Sequence, residues 1–120
     1  METGKFKFEN LIIWQKAMDY GEYIFQLSMQ FPKDEMYNLI SQIRRAVDSI
    51  ALNISEGSIG QTGPEQKRFV GLAIRSLAEV VTCLHKASRR KYISDEDFKI
   101  HYDYEFNLMN MMIAFKNKIE

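Results

Sequence analysis

Only two prolines interrupt this chain of 120 residues, at positions 32 and 64, and around them the apolar residues recur at helical rather than alternating spacing. Pro32 follows Phe31 and ends a first helix, because the residue before a proline is pushed out of the α region. Pro64 follows Gly63 and suits the opening turn of another helix, where its missing N–H costs little. The spacing predicts helices near residues 10–30, 35–57, 64–91 and 95–118. Asp34 is the expected cap of the second helix, Gly57 and Gly60 are its expected stop, and Ser94 with Asp97 resembles a capping box opening the fourth. Helices of this length with short connections predict an all-α, antiparallel up-down-up-down four-helix bundle, with residues 1–120 forming one domain.

The first helix carries more apolar surface than a bundle needs. Leu11, Trp14, Met18, Gly21 and Phe25 form one stripe, and Ile13, Ala17, Tyr20, Ile24, Leu27 and Phe31 form a second beside it. The third helix repeats the pattern, with Phe69, Leu72, Ala73, Ser76, Val80, Cys83 and Ala87 flanked by Val70, Ile74, Leu77 and Val81. A bundle helix turns its back to water, so an apolar arc much wider than about 100° marks a partner surface. Self-association is the economical reading, since most soluble oligomers are homo-oligomers, and a heterologous protein partner is the rival. On the fourth helix Phe98, Tyr102, Phe106, Met109 and Ile113 lie on one side, with Tyr104, Leu108, Met111 and Phe115 on the other. Met109, Met111 and Met112 are read as core filling, with an adaptable partner groove as the alternative.

The second helix has a single apolar stripe and, well away from it, a polar one. Gln42, Arg45, Ser49, Asn53 and Glu56 follow spacings of three and four. Arg44 and Asp48 lie on the adjacent flank, one turn apart, as an expected surface pair. Ser and Asn are poor formers of an exposed helix interior, so their presence calls for a reason. A network across a subunit interface, with Glu79 of the third helix among its members, is the favoured reading. A solvated face and a ligand site are the alternatives.

Sixteen basic residues balance sixteen acidic ones, so no global field draws the chain to nucleic acid or anionic lipid. The charge is uneven, however. Residues 58–92 hold seven cations, Lys67, Arg68, Arg75, Lys86, Arg89, Arg90 and Lys91, against two acids, whereas residues 93–120 hold three cations against six acids. The seven are the candidate contacts for RNA or DNA, with Tyr92 able to stack on a base, and a ring of subunits would multiply them. The competing reading is that they solvate one helix end and answer its dipole, neutralised by the acids of "SDEDF".

Chemistry is sparse. His85 and His101 fall on different predicted helices, and no HExxH, cysteine pair, Glu-x-x-His or P-loop occurs. No catalytic residue, metal site or cofactor is expected, and the chain is not expected to be an enzyme. The one cysteine, Cys83, reads as a buried, inert thiol. No apolar stretch approaches the roughly 20 residues that cross a bilayer, and no signal-peptide pattern opens the chain. A cytoplasmic protein without a membrane role is expected.

The ordered residues "FP..E.Y.L..QIRRA..SI..NI.EG", from Phe31 to Gly57, continue through Phe69, Ala73, Ser76, Glu79, Thr82 and Leu84. Together with Phe8, Leu11, Trp14, Ala17 and Tyr20 upstream, they resemble the 23S rRNA-intervening-sequence, or S23-like, family of four-helix bundles. The resemblance covers most of residues 8–92 and implies a ring-like homopentamer. It implies no activity, because many family members have none established. A similar bundle is an accessory protein of diversity-generating retroelements, where it binds a reverse transcriptase and nucleic acid through a basic surface. Two positions depart from the family pattern: Arg75 stands where glycine is common, and Val81 where an acid is common. A noncatalytic scaffold engaging RNA, DNA or a nucleic-acid enzyme is the leading expectation. A purely structural interaction module is the alternative, and an unrecognised enzyme the third.

Overall fold

The computed structural model describes residues 4–60 and 62–120. A 3-10 turn at Lys7–Asn10 leads into α1 (Ile12–Ser28), and a second 3-10 turn at Lys33–Glu35 precedes α2 (Leu39–Gly57). Two longer helices follow, α3 (Gly63–Arg89) and α4 (Asp95–Asn117). Among the described residues there is no strand. In space α1 packs on α2, α2 on α3 and α3 on α4, with α4 closing the square against α1. The result is the expected antiparallel bundle.

The predicted helix ends hold to within two residues except at the start of α2. The reason lies in Glu35. Its carboxylate receives Arg90 Nη1 at 2.8 Å and the Tyr92 hydroxyl at 2.7 Å, both from beyond the end of α3. It also accepts from Asn38 Nδ2 at 3.0 Å and from the Leu39 N–H at 3.3 Å. Glu35, rather than the expected Asp34, therefore supplies an oxygen to the first turn of α2, and residues 33–38 are drawn into tight turns instead of helix. Gly57 ends α2 as expected and has a second use. It is the last residue inside α2, and a Cβ there would lie 2.6 Å from the Cβ of Phe69, so it marks a close approach of α2 and α3. Gly60, at φ +57°, takes the left-handed turn beyond.

The other ends follow local chemistry. Ser94 Oγ accepts the Asp97 N–H at 3.0 Å, the expected half of a capping box, and Thr62 Oγ1 accepts the Glu65 N–H at 3.4 Å ahead of α3. α3 stops in a Schellman turn: the Lys91 N–H reaches the Ser88 carbonyl and the Tyr92 N–H the Ala87 carbonyl, at 3.0 and 2.9 Å. Lys91 occupies the left-handed position at φ 62°.

The core is built by Tyr20, Ile24 and Leu27 of α1, the Leu39–Ile54 stripe of α2, Ala73, Leu77, Val80 and Leu84 of α3, and Leu108 with Met112 of α4. The two wide arcs read from the sequence have different explanations. On α3 both apolar faces are used within the chain, because this helix packs against α2 on one side and α4 on the other. Val70 and Leu77 are fully buried, and Ile74 is packed against the core. On α1 the Ile13–Leu27 stripe is the buried one, and Met18 and Phe25 of the other stripe remain exposed. α4 divides likewise, with Leu108 and Met112 inside and Tyr102, Phe106 and Ile113 outside.

Candidate functional site

The polar residues of α2, the stripe and its flank, are divided between two tasks. Arg44 fastens α2 to α1: its Nε donates to Ser28 Oγ at 2.7 Å, and its guanidinium lies 4.3 Å over the Phe25 ring. The expected Arg44–Asp48 ion pair is not among the ion pairs of the described residues. Partial burial and the neighbouring Glu22 push the Asp48 carboxyl up, with the Arg44 charge opposing them. The remaining stripe bonds mostly within its own helix. Arg45 Nη2 donates to Ser41 Oγ at 3.0 Å, Ser49 Oγ to the Arg45 carbonyl at 2.9 Å, Asn53 Nδ2 to the Ser49 carbonyl at 2.8 Å, and Gln42 Nε2 to Asn38 Oδ1 at 3.2 Å. Glu56 is exposed at the helix end. An open groove of about 400 Å³ runs between α2 and α3, with Gln42, Arg45 and Ser49 on one wall and Glu79, Thr82 and Lys86 on the other. Cys83 also lines this groove; burial pushes its thiol up, away from the reactive thiolate.

The seven cations do not form one cluster. At 1.5 Å per residue, Lys67 and Arg89 stand roughly 33 Å apart along α3. Lys67, Arg68 and Arg75 line an open groove of about 700 Å³ between α3 and α4, joined there by Lys116. Arg68 pairs with Glu65 at 3.1 Å and lies 4.5 Å over the Phe69 ring. Lys86 faces the α2/α3 groove instead. At the far end Arg89 and Lys91 are exposed, but Arg90 is held by Glu35. Tyr92, the expected stacking ring, packs 5.7 Å from Phe31 and donates its hydroxyl to Glu35. The acid that answers this cluster is thus Glu35, from 55 residues upstream, rather than one of the "SDEDF" acids. Arg75, at a departure from the family pattern, is exposed in the α3/α4 groove and does not crowd a helix crossing.

Two residues escaped the sequence reading. Lys116 lies in the segment read as net acidic, and only the antiparallel run of α4 brings it beside the start of α3. Glu105 was assigned to neither stripe of α4, although its spacing from Leu108 and Met112 places it on their face. It is 1% exposed. Tyr20, also fully buried, donates its hydroxyl to Glu105 Oε2, while Oε1 has no partner among the described residues. Burial pushes this carboxyl from 4.5 up to about 7, against the Tyr20 hydrogen bond, which favours the anion. The Tyr20 ring stacks on Tyr104 at 4.8 Å, and burial pushes the Tyr104 phenol up to about 12.

Unpartnered apolar surface lies on two opposite sides. Between α1 and α2 a groove of about 380 Å³ is lined by Phe8, Trp14, Met18, Val47, Ala51 and Leu52, with the carboxyls of Glu22 and Asp48 also on its wall. Across the bundle an α4 stripe begins at Phe98, whose ring is 5.0 Å from His85 of α3, and continues through Tyr102, Phe106 and Ile113. Leu52 is 65% exposed and Phe106 60%.

Helix order, caps and core define an antiparallel four-helix-bundle protein. The family model described as 23S rRNA-intervening sequence protein matches residues 9–114, and the chain belongs to that family. A similar solved structure is a Bacteroides thetaiotaomicron VPI-5482 protein of unknown function from the S23 ribosomal protein family. It is 19% identical over 88% of this chain and 98% of its own, with a TM-score of 0.81, which bears on the fold. No curated protein matches the chain. No helix among the described residues is long and apolar enough to cross a membrane.

Proposed function

We propose that this protein is a noncatalytic scaffold whose copies associate head to tail into a closed ring and present a basic groove to the phosphates of RNA or DNA. The observation that carries the assembly is the pair of unlike apolar faces on opposite sides of one bundle, the α1/α2 groove around Leu52 and the α4 stripe around Phe106. Two different faces meeting between copies make a heterologous contact, and such a contact closes into a ring when the rotation per subunit divides a full turn. The pentamer implied by the family resemblance is the ring we favour.

Charge on exposed apolar positions tests this without disturbing the core. Leu52→Asp and Phe106→Asp should each reduce the assembly to monomer in light scattering. Mixed together, they should form a dimer and nothing larger, because each retains the face the other lacks. Unchanged mass for either variant would remove that face from the interface. Four-chain or larger species in the mixture would count against a head-to-tail contact.

The phosphate reading is supported by Lys67, Arg68, Arg75 and Lys116 converging on one open groove. A ring would repeat this groove and let weak contacts add as effective concentration. Fluorescence anisotropy with labelled RNA and DNA across a salt series is the test. Neutralising Lys67, Arg75 and Lys116 together should weaken binding and flatten the salt slope by about one counterion per lost contact. Arg90→Gln should leave binding unchanged, since Glu35 already holds that guanidinium. Absence of binding at low salt would leave the scaffold as a protein-interaction module.

A further inference from the structure

A carboxyl group sits where α4 closes against α1. α4 fully buries Glu105, Leu108 and Met112, so one of its three buried side chains is an acid. An ionised carboxylate is an acceptor only, with room for about four hydrogen bonds. Here Oε2 meets Tyr20 and Oε1 meets nothing among the described residues.

Among the described residues Glu105 takes part in no ion pair. α1 presents the Tyr20 phenol. α3 presents Cys83, whose own neighbours Glu79 and Lys86 lie along the α2/α3 groove. The buried side chains of α2 are all apolar. α4 adds Tyr104 and His101, and His101 Nδ1 is engaged with the Asp97 carbonyl at 2.8 Å. Because a carbonyl can only accept, Nδ1 is the donor of that bond.

A neutral acid suits this site better than an anion. Protonated on Oε2, Glu105 donates to the Tyr20 oxygen, which frees the Tyr20 hydroxyl to donate to the His101 carbonyl 3.5 Å away. We propose that Glu105 is a proton-operated latch: the neutral acid holds α4 against α1, and its ionisation loosens that seam while α2 and α3 stay packed together. An open cleft of about 490 Å³ runs along the seam, lined by Tyr20, Tyr23, Leu27, Ile100, His101 and Tyr104. Tyr20 thus forms both the wall of this cleft and the partner of the buried acid.

Amide hydrogen exchange on the full chain, corrected for the intrinsic pH dependence of exchange, reads the latch helix by helix. Between about pH 5.5 and pH 8, protection of the α4 amides around Glu105 should fall about tenfold or more. The ceiling is about 300-fold for a carboxyl displaced from 4.5 to about 7. Protection in α2 and α3 should hold. Glu105→Gln keeps the shape but cannot ionise, and its α4 protection should stay flat over the same range. Tyr20→Phe removes the hydrogen bond that favours the anion, so its midpoint should move to higher pH. An equal fall in Glu105→Gln, or a parallel fall throughout α2 and α3, overturns the latch. So does a Glu105 carboxyl carbon resonance that titrates near its ordinary value, a measurement on the unaltered chain that stands even if the glutamine variant fails to fold.

Discussion

Lys91 holds a position whose backbone suits glycine better, whereas Gly57 holds one with no room for a side chain. Lys91 ends α3 at φ 62°, where a side chain costs roughly 1–2 kcal/mol. Glycine there would relieve the strain, offset by its greater freedom in the unfolded chain and by the lost cation at a helix C-terminus, each worth about 0.5 kcal/mol. Lys91→Gly should therefore raise stability by roughly 0.5 kcal/mol and the thermal midpoint by about 2 °C, read by calorimetry. Gly57→Ala should do the opposite. Alanine gains about 1 kcal/mol of helix propensity, but its Cβ would meet Phe69 Cβ at 2.6 Å. Overpacking of that kind costs about 1–3 kcal/mol, and the obstruction is a Cβ with no freedom to swing aside. A net loss of about 1 kcal/mol in chemical denaturation is expected, with Phe69→Gly in the same chain removing the obstructing Cβ.

At the scale of elements, Glu35 ties the start of α2 to the end of α3. The hydrogen bond from Tyr92, followed by those from Leu39 and Asn38 and the Arg90 charge, holds its carboxyl below the usual range against the effect of burial. A depressed folded value means that the stabilisation is complete above the unfolded value of 4.5 and is lost as pH falls through the folded one. Glu35→Gln should fray the first turn of α2 and the last turn of α3 together at neutral pH. It should also make both insensitive to acid, as followed by amide exchange in the two segments.

This clasp shows where sequence reading stops. Pro64, Ser94 and the helical stripes act locally, so three helices were legible to within two residues. Glu35 shifts the start of α2 only because Arg90 and Tyr92 reach it from the far end of another helix, and neither has a local pattern that announces this. The seven cations looked like one cluster because they are near in sequence, while the helix rise separates them and antiparallel packing supplies Lys116 from outside the segment. The apolar arc of α3 was equally ambiguous. A helix with two neighbours inside its own chain carries the same wide stripe as one with a neighbour in another chain.

Over the whole molecule the two buried acids oppose each other. Glu105 is raised in the folded state, so its contribution is complete below 4.5 and disappears as pH rises through about 7, a difference of about 3 kcal/mol at the limit. Glu35 acts in the other direction below 4.5. Urea-unfolding stability should accordingly peak near about pH 5 and fall on both sides. Glu105→Gln should flatten the alkaline limb alone and Glu35→Gln the acid limb alone.

The chain has one tryptophan, and it lies in the α1/α2 groove with Phe8 edge-on at 5.3 Å. That position makes the protein its own optical reporter. If neighbouring copies fill the groove, the partly buried indole of Trp14 passes from a wetter to a drier surrounding. Its emission should then shift to shorter wavelength as concentration rises, and quenching by iodide should weaken in step. Phe106→Asp, which alters no residue of that groove, should abolish both changes, so the assembly could be followed continuously and without a label.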